Sequence, residues 1–286
     1  MPSAYEKYEH IIVEHEGETV GLLSLWDDQG RLQLDFFLLE ELLSRSVRDG
    51  DSARSGGLAL ALDMWLAEEL RRAGFDEDAI WPRLHAPHVL DPAVIDFVNA
   101  LSPSVAEECC KALPRYARNK ANVLGAAYRK QVDVGMSSWM TGPEILISTK
   151  TMMSSYGKNL ANRFEEAYGD AKNLKGRHPL AALGFYFLMN ADISNEPATF
   201  AKALSMLEKL QLEDDAYDAA CLQLVEIAED GSVTISECNE FVPESLSPEH
   251  FFATIIDDAL VRAASDAHAV VKANRAGHTT GREEIS

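Results

Sequence analysis

The chain has no apolar run approaching the roughly 18–20 residues that a membrane-spanning helix needs. Its four cysteines, Cys109, Cys110, Cys221 and Cys238, form no Cys-x-x-Cys pair and have no His at metal-ligand spacing. A helical membrane protein and a structural zinc site are thereby excluded, and the cysteines read as small hydrophobes in a reducing compartment. Met1 to Gly17 is rich in Glu and His and lacks the basic-then-apolar plan of a secretory signal, so a cytoplasmic location is expected. There is no internal repeat and no low-complexity tract. Positive charge is scarce: 26 Lys and Arg stand against 46 Asp and Glu, a net charge of −20 over 286 residues. Taken whole, that balance argues against a basic surface for non-specific nucleic-acid binding. What is present is apolar material, 47% of the chain, enough to fill a sizeable core and to exclude a wholly disordered protein.

The scarce positive charge is concentrated. Lys111 to Arg177 holds 12 Lys and Arg against 5 Asp and Glu, a local +7, and the remainder of the chain carries −27. Function is therefore sought in the central segment.

Around that segment the patterning predicts mostly helix first and strand later. Phe36, Leu39, Leu42, Leu43 and Val47 recur near the helical period over Asp35 to Arg48, and Leu58 to Ala73 repeats the pattern before Gly74. Ile11–Val13 and Val20–Leu25 flank Glu16-Gly17-Glu18 as a short hairpin. Pro92 to Leu101, Ser104 to Ala112 and Tyr116 to Arg129 read as helices. Beyond residue 132, Ile145 to Thr149, Ala182 to Met189, Ala220–Ile227 and Val233–Ser236 read as strands. Helices are expected over Asn159 to Asn173, Pro197 to Leu210 and Phe251 to Ala264. The order suggests an α/β fold, a mixed sheet flanked by helices. Residues 1–110 are expected to form a helix-rich N-terminal region, 111–268 the core, and 269–286 a flexible tail. Met136, Trp139 and Met140 are expected to pack inside.

The string that carries chemistry is Gly142-Pro143-Glu144-Ile145-Leu146-Ile147-Ser148-Thr149-Lys150. On a strand Glu144, Ser148 and Lys150 share one face and Ile145 and Ile147 the other. A carboxylate able to hold Mg2+ and an ammonium able to offset charge on a phosphate suit phosphodiester hydrolysis.

At these residues the sequence resembles the PD-(D/E)xK nuclease superfamily, the core of many type II restriction endonucleases. Pro143-Glu144 stands where the family has Pro-Asp, and Ser148-Thr149-Lys150 where it has acid-x-Lys. The departure at Ser148 resembles a Ser-x-Lys subset that supplies the missing acid from the following helix, about fourteen residues after the Lys. Lys158-Asn-Leu-Ala-Asn-Arg-Phe-Glu-Glu-Ala-Tyr-Gly-Asp170 is similar to the helix that does so. The resemblance spans roughly residues 130 to 190 and implies a restriction-endonuclease-like core. It further implies Glu144, Ser148, Lys150, Glu165 and Glu166 at the catalytic site, with Glu144, Glu165 and Glu166 as ligands of Mg2+. Chain reach favours Glu165 and the helical wheel favours Glu166. We place slightly more weight on Glu165. Lys158, Asn159, Asn162 and Arg163 are expected to contact nucleic acid.

The resulting expectation is a Mg2+-dependent DNA endonuclease of restriction or phage defence, with the helical N-terminal region as an appendage for target contact, dimerisation or partner docking. DNA is the expected partner, with a homodimer and defence-system proteins as further partners and no membrane contact. One rival is a catalytically degenerate nuclease fold that binds nucleic acid or a protein, supported by Ser148 in place of an acid. Another is an acidic decoy of DNA, which the basic centre disfavours.

Overall fold

The computed structural model describes residues 4–18, 24–50, 56–115, 117 and 120–277. Helix α1 (Glu6–Glu18) is followed by α2 (Phe36–Arg48) and α3 (Gly57–Ala73). Asp35 starts α2 by accepting from the Leu38 amide at 2.9 Å, and its carbonyl accepts from the Trp65 indole at 2.8 Å, which locks α2 to α3. Gly74, at φ 102°, ends α3 in a left-handed conformation that only glycine adopts freely. Strand β1 (Ile80–Trp81) and helices α4 (Pro92–Asn99) and α5 (Pro103–Ala112) lead to a separate two-stranded ribbon, β2 (Ala121–Leu124) and β3 (Arg129–Val132).

Then come β4 (Val134–Ser138), β5 (Gly142–Met152), α6 (Tyr156–Lys175), β6 (Ala182–Asn190), α7 (Pro197–Leu212), β7 (Ala219–Ile227), β8 (Val233–Ile235), α8 (Pro248–Arg262) and α9 (Ala269–Arg275). Six strands form one curled mixed sheet in the order β1-β4-β5-β6-β7-β8. β4 and β5 form an antiparallel hairpin, while β5, β6 and β7 run parallel, joined through α6 and α7. The parallel strands are buried on both faces, as helix-covered sheets require.

One face of the sheet packs Ile145, Ile147 and Tyr186 against Trp65 of α3 and Phe251 and Phe252 of α8. The other packs Leu146, Phe185 and Phe187 against Leu160, Ala167 and Leu174 of α6 and Leu207 of α7. The expected mixed sheet flanked by helices is therefore observed.

Several expectations are corrected. Residues 1–110 are not an appendage: α1, α2 and α3 contribute Tyr8, Ile12, Leu39, Leu42 and Trp65 to the same core as the central strands, and β1 pairs with β4. Ile11–Val13 is helical, because Tyr8, Ile11 and Ile12 share a buried helical stripe that overrides their β-branched propensity. Residues 20–23 of the expected second hairpin strand lie outside the described residues. Of the helix expected over Tyr116 to Arg129, Tyr116, Arg118 and Asn119 lie outside the described residues, and 121–124 is a strand instead: Ala121 and Val123 turn inward while Asn122 and Leu124 face out. The tail expected from residue 269 begins as α9, whose Val271 is buried; residues 278–286 lie outside the described set. Met136 packs as expected, but Trp139 and Met140 sit on the β4–β5 turn at 75% and 95% exposure.

The sheet and α8 approach so closely at Gly184 that a Cβ there would stand 2.6 and 2.9 Å from ring atoms of the buried Phe251. Gly184→Ala is therefore expected to destabilise the fold by about 1–3 kcal/mol through overpacking. Urea unfolding checks this, with a lowered midpoint and an unchanged slope as the expected result.

Candidate functional site

The β4–β5 hairpin fixes the site. Val134 pairs with Ile147, so Asp133, one residue before β4, stands across from Ser148. Its Oδ2 accepts from the Thr149 amide at 3.0 Å. On the other side of β5, the Thr149 hydroxyl donates to Asp63 Oδ1 of α3 at 2.7 Å. Thr149 is buried and Asp133 half-buried. Burial pushes both carboxyls above the ordinary carboxylate range, and the charge of Asp133 pushes Asp63 further up. Burial, and then the charges of Asp63 and Asp133, also raise the Tyr5 phenol.

Lys150 projects from the next position of β5 toward α6. Its Nζ donates to Glu166 Oε1 at 3.2 Å, and Arg163 Nη1 donates to Glu166 Oε2 at 2.9 Å. Partial burial opposes ionisation of Glu166, yet Lys150 and Arg163 hold its carboxyl below the usual range. One turn further along α6, Asp170 pairs with Lys130 and accepts from the Tyr128 hydroxyl at 3.0 Å.

Of the residues singled out in the sequence, Lys150, Arg163 and Glu166 are brought together. Glu165, given the greater weight there, is exposed and lies one position around the helix from the face that meets Lys150. Glu144 is not brought in. It lies six steps along the strand, about 20 Å, from Lys150, and its carboxylate instead engages His268 Nε2 at 2.7 Å and the Thr141 hydroxyl at 2.7 Å. Ser148 is buried against the Tyr217 phenol, and neither hydroxyl makes a well-formed hydrogen bond. Lys158 and Asn162 are exposed on α6, and Asn159 donates back to the Ser155 carbonyl at 3.1 Å.

Sequence reasoning missed Asp133 and Asp63. Each left a signal: Asp133 interrupts the β-branched run Val132-Asp133-Val134, and Asp63 interrupts the otherwise apolar stretch Leu-Ala-Leu-Asp-Met-Trp-Leu. Among the described residues no three His, Cys, Asp or Glu side chains are grouped to hold a metal ion, and no described helix is long and apolar enough to cross a membrane. Comparison with protein-family models, curated proteins and solved structures finds no match to this chain.

The hydrogen bond from His268 is the main reason that the Glu144 carboxyl is held below the ordinary carboxylate range. A depressed native pKa stabilises the fold fully above the unfolded value, near 4.3 for Glu, and that stabilisation is lost as pH falls through the native value. Glu144→Gln is expected to lower stability at pH 7 by on the order of 1 kcal/mol, with the gap from the unmodified chain closing below about pH 4. Urea unfolding across that range checks this; a gap independent of pH would exclude the assigned cause.

Proposed function

We propose that this chain is a Mg2+-dependent endonuclease that hydrolyses DNA phosphodiester bonds, with a core of restriction-endonuclease type serving restriction or phage defence. The observation that carries the reading is the placement of Asp133, just before β4 and across from Ser148, on the Thr149 amide next to Lys150, with Glu166 reaching Lys150 from the following helix. In this reading Asp133, not Glu144, stands for the family's first acid, and Glu166 for the acid that Ser148 does not supply.

The donor chemistry suits Mg2+, a hard cation that takes one or two carboxylates and keeps waters and substrate phosphate as its remaining ligands. Asp133, half-buried beside the charge of Lys150, is the carboxylate such an ion would meet, and Glu166 lies beyond Lys150, while Asp63, sealed behind Thr149, would have to ionise before it could join them. Bound there, the ion would supply charge stabilisation at the phosphate and a more acidic water. The chain's own groups act around it. Thr149 fixes both carboxylates through its amide and hydroxyl. Lys150 presents an ammonium to the phosphoryl oxygens, where charge grows in the transition state. Glu166 holds that ammonium in place and is held in turn by Arg163.

A second reading is a catalytically degenerate nuclease fold that binds nucleic acid or a partner protein. The ion pair between Lys150 and Glu166 favours it, since each neutralises the other.

Activity separates the two. Asp133→Asn, Lys150→Ala and Glu166→Gln are each expected to lower Mg2+-dependent cleavage of duplex DNA by at least ~10²-fold, while Glu165→Gln and Glu144→Gln keep most of it. The readout is gel analysis of varied DNA with Mg2+ and with EDTA. An unmodified chain that never cuts would support the degenerate fold, and an Asp133→Asn variant that cuts at the original rate would remove Asp133 from the site.

A further inference from the structure

The ribbon formed by β2 and β3 stands apart from the six-stranded sheet, and its two faces differ sharply. Ala121, Val123 and Val132 turn inward, and the two valines join the core under α6. Outward, Asn122 lies opposite Gln131 and Leu124 opposite Arg129, and all four are exposed. Leu124 is 53% exposed, and Tyr128 at the turn is 46% exposed with its hydroxyl turned back to Asp170 of α6. Residues 112–132 contain Arg115, Arg118, Lys120, Arg129 and Lys130 and not one Asp or Glu, in a chain of net charge −20. Five of the twelve Lys and Arg of the central segment thus fall in this stretch without an acid among them, although Arg118 lies outside the described residues.

The ribbon is also held rigidly. Asn173 of α6 accepts from the Ala127 and Tyr128 amides at 2.8 and 3.1 Å and donates to the Tyr128 carbonyl at 3.0 Å. Gly125 sits so close that a Cβ would meet Asn173 at 2.2 Å. His178 engages the Leu124 carbonyl at 2.9 Å, and Lys130 pairs with Asp170. The anchor helix is the one that carries Glu166, and β3 ends one residue before Asp133.

We propose that the outer face of this ribbon enters the major groove of duplex DNA and reads bases there through Asn122, Arg129 and Gln131, deepening the nuclease reading on which it rests by naming the element that selects the target. A two-stranded ribbon fits the major groove of B-form DNA, about 12 Å wide, whereas the deep, narrow major groove of A-form RNA does not admit one. The exposed side chains are those suited to base edges: Arg pairs with guanine, Asn and Gln with adenine, and an apolar Leu meets the thymine methyl. The surrounding basic residues meet the phosphates. Direct attachment to Asp133 and to α6 sets a fixed distance between the bases read and the bond cut.

The test uses the full chain in EDTA, so that binding is measured without cutting. Duplexes of random sequence are selected for binding, and affinities are then compared for a selected DNA duplex, a duplex RNA and single-stranded DNA. The variant Asn122→Ala, Arg129→Ala, Gln131→Ala changes only exposed positions. It is expected to weaken binding to the selected duplex at least ~10-fold and to flatten the base preference, with thermal unfolding unchanged. If it fails to fold, Arg129→Glu alone carries the same threshold. Unchanged affinity and preference in the variant would overturn the proposal. So would a wild-type chain that ignores duplex DNA, or one that loses RNA and DNA binding equally. A chain that binds through the ribbon yet never cuts with Mg2+ leaves this inference standing and removes the nuclease reading. Cutting that is indifferent to the ribbon variants does the reverse.

Discussion

Thr149 makes two hydrogen bonds on which the site depends. Its amide faces the edge of β4 and holds Asp133, while its hydroxyl faces α3 and holds Asp63. One buried residue thus joins a hairpin strand, its neighbour and the helix packed on the sheet, and it does so with groups that would be costly to leave unsatisfied. Two carboxylates are crowded together as a result. Burial disfavours the charged form of both, and the charge of Lys150, the one lysine that the strand presents to α6, offsets this only in part. Arrangements of this kind are found where a protein receives something positive or transfers a proton.

The helix α3 explains why the N-terminal third is indispensable to that arrangement. It is buried on nearly every side, packed on the sheet through Trp65 against Tyr186 of β6 and flanked by α2. Asp63 can occupy such a helix only because Thr149 gives its oxygen a partner. The sequence-level division at residue 110 fails for the same reason: helical periodicity shows which residues of α1, α2 and α3 turn inward but not what they turn toward, and the answer is the central sheet.

Legibility in the sequence followed the range of the interactions involved. The parallel strands β6 and β7 and the helices α6, α7 and α8 were visible because their apolar residues are continuous or periodic over nine or more positions. Within the site, Lys150, Arg163 and Glu166 were visible because strand and helix periods place them locally. Asp133 was not, since its role arises from the register of a hairpin whose turn, Trp139 to Thr141, offers no strong signal. Glu144 occupied the position that the motif suggested, yet a strand of eleven residues carries it to the far end, where it fastens His268 instead. The strand β2 of the ribbon is hard to read in the sequence because its alternation runs over only four residues.

Ser148 shows why, under the proposed nuclease reading, the second acid is sought on α6. Its side chain points into the core beside Tyr217, Phe185 and Leu146, with 3% of its surface exposed. A carboxylate there would lose its hydration to an aromatic cluster with only a phenol as donor, and burial of that kind favours the neutral form, which holds no metal. Lys150, two residues on and at the rim of the same face, stays partly accessible and meets a carboxylate from a surface helix. The same strand face thus passes from a sealed core to an open charged edge within two residues. An acid delivered at that edge keeps the solvation and the partners it needs to remain ionised, whereas one at Ser148 would not.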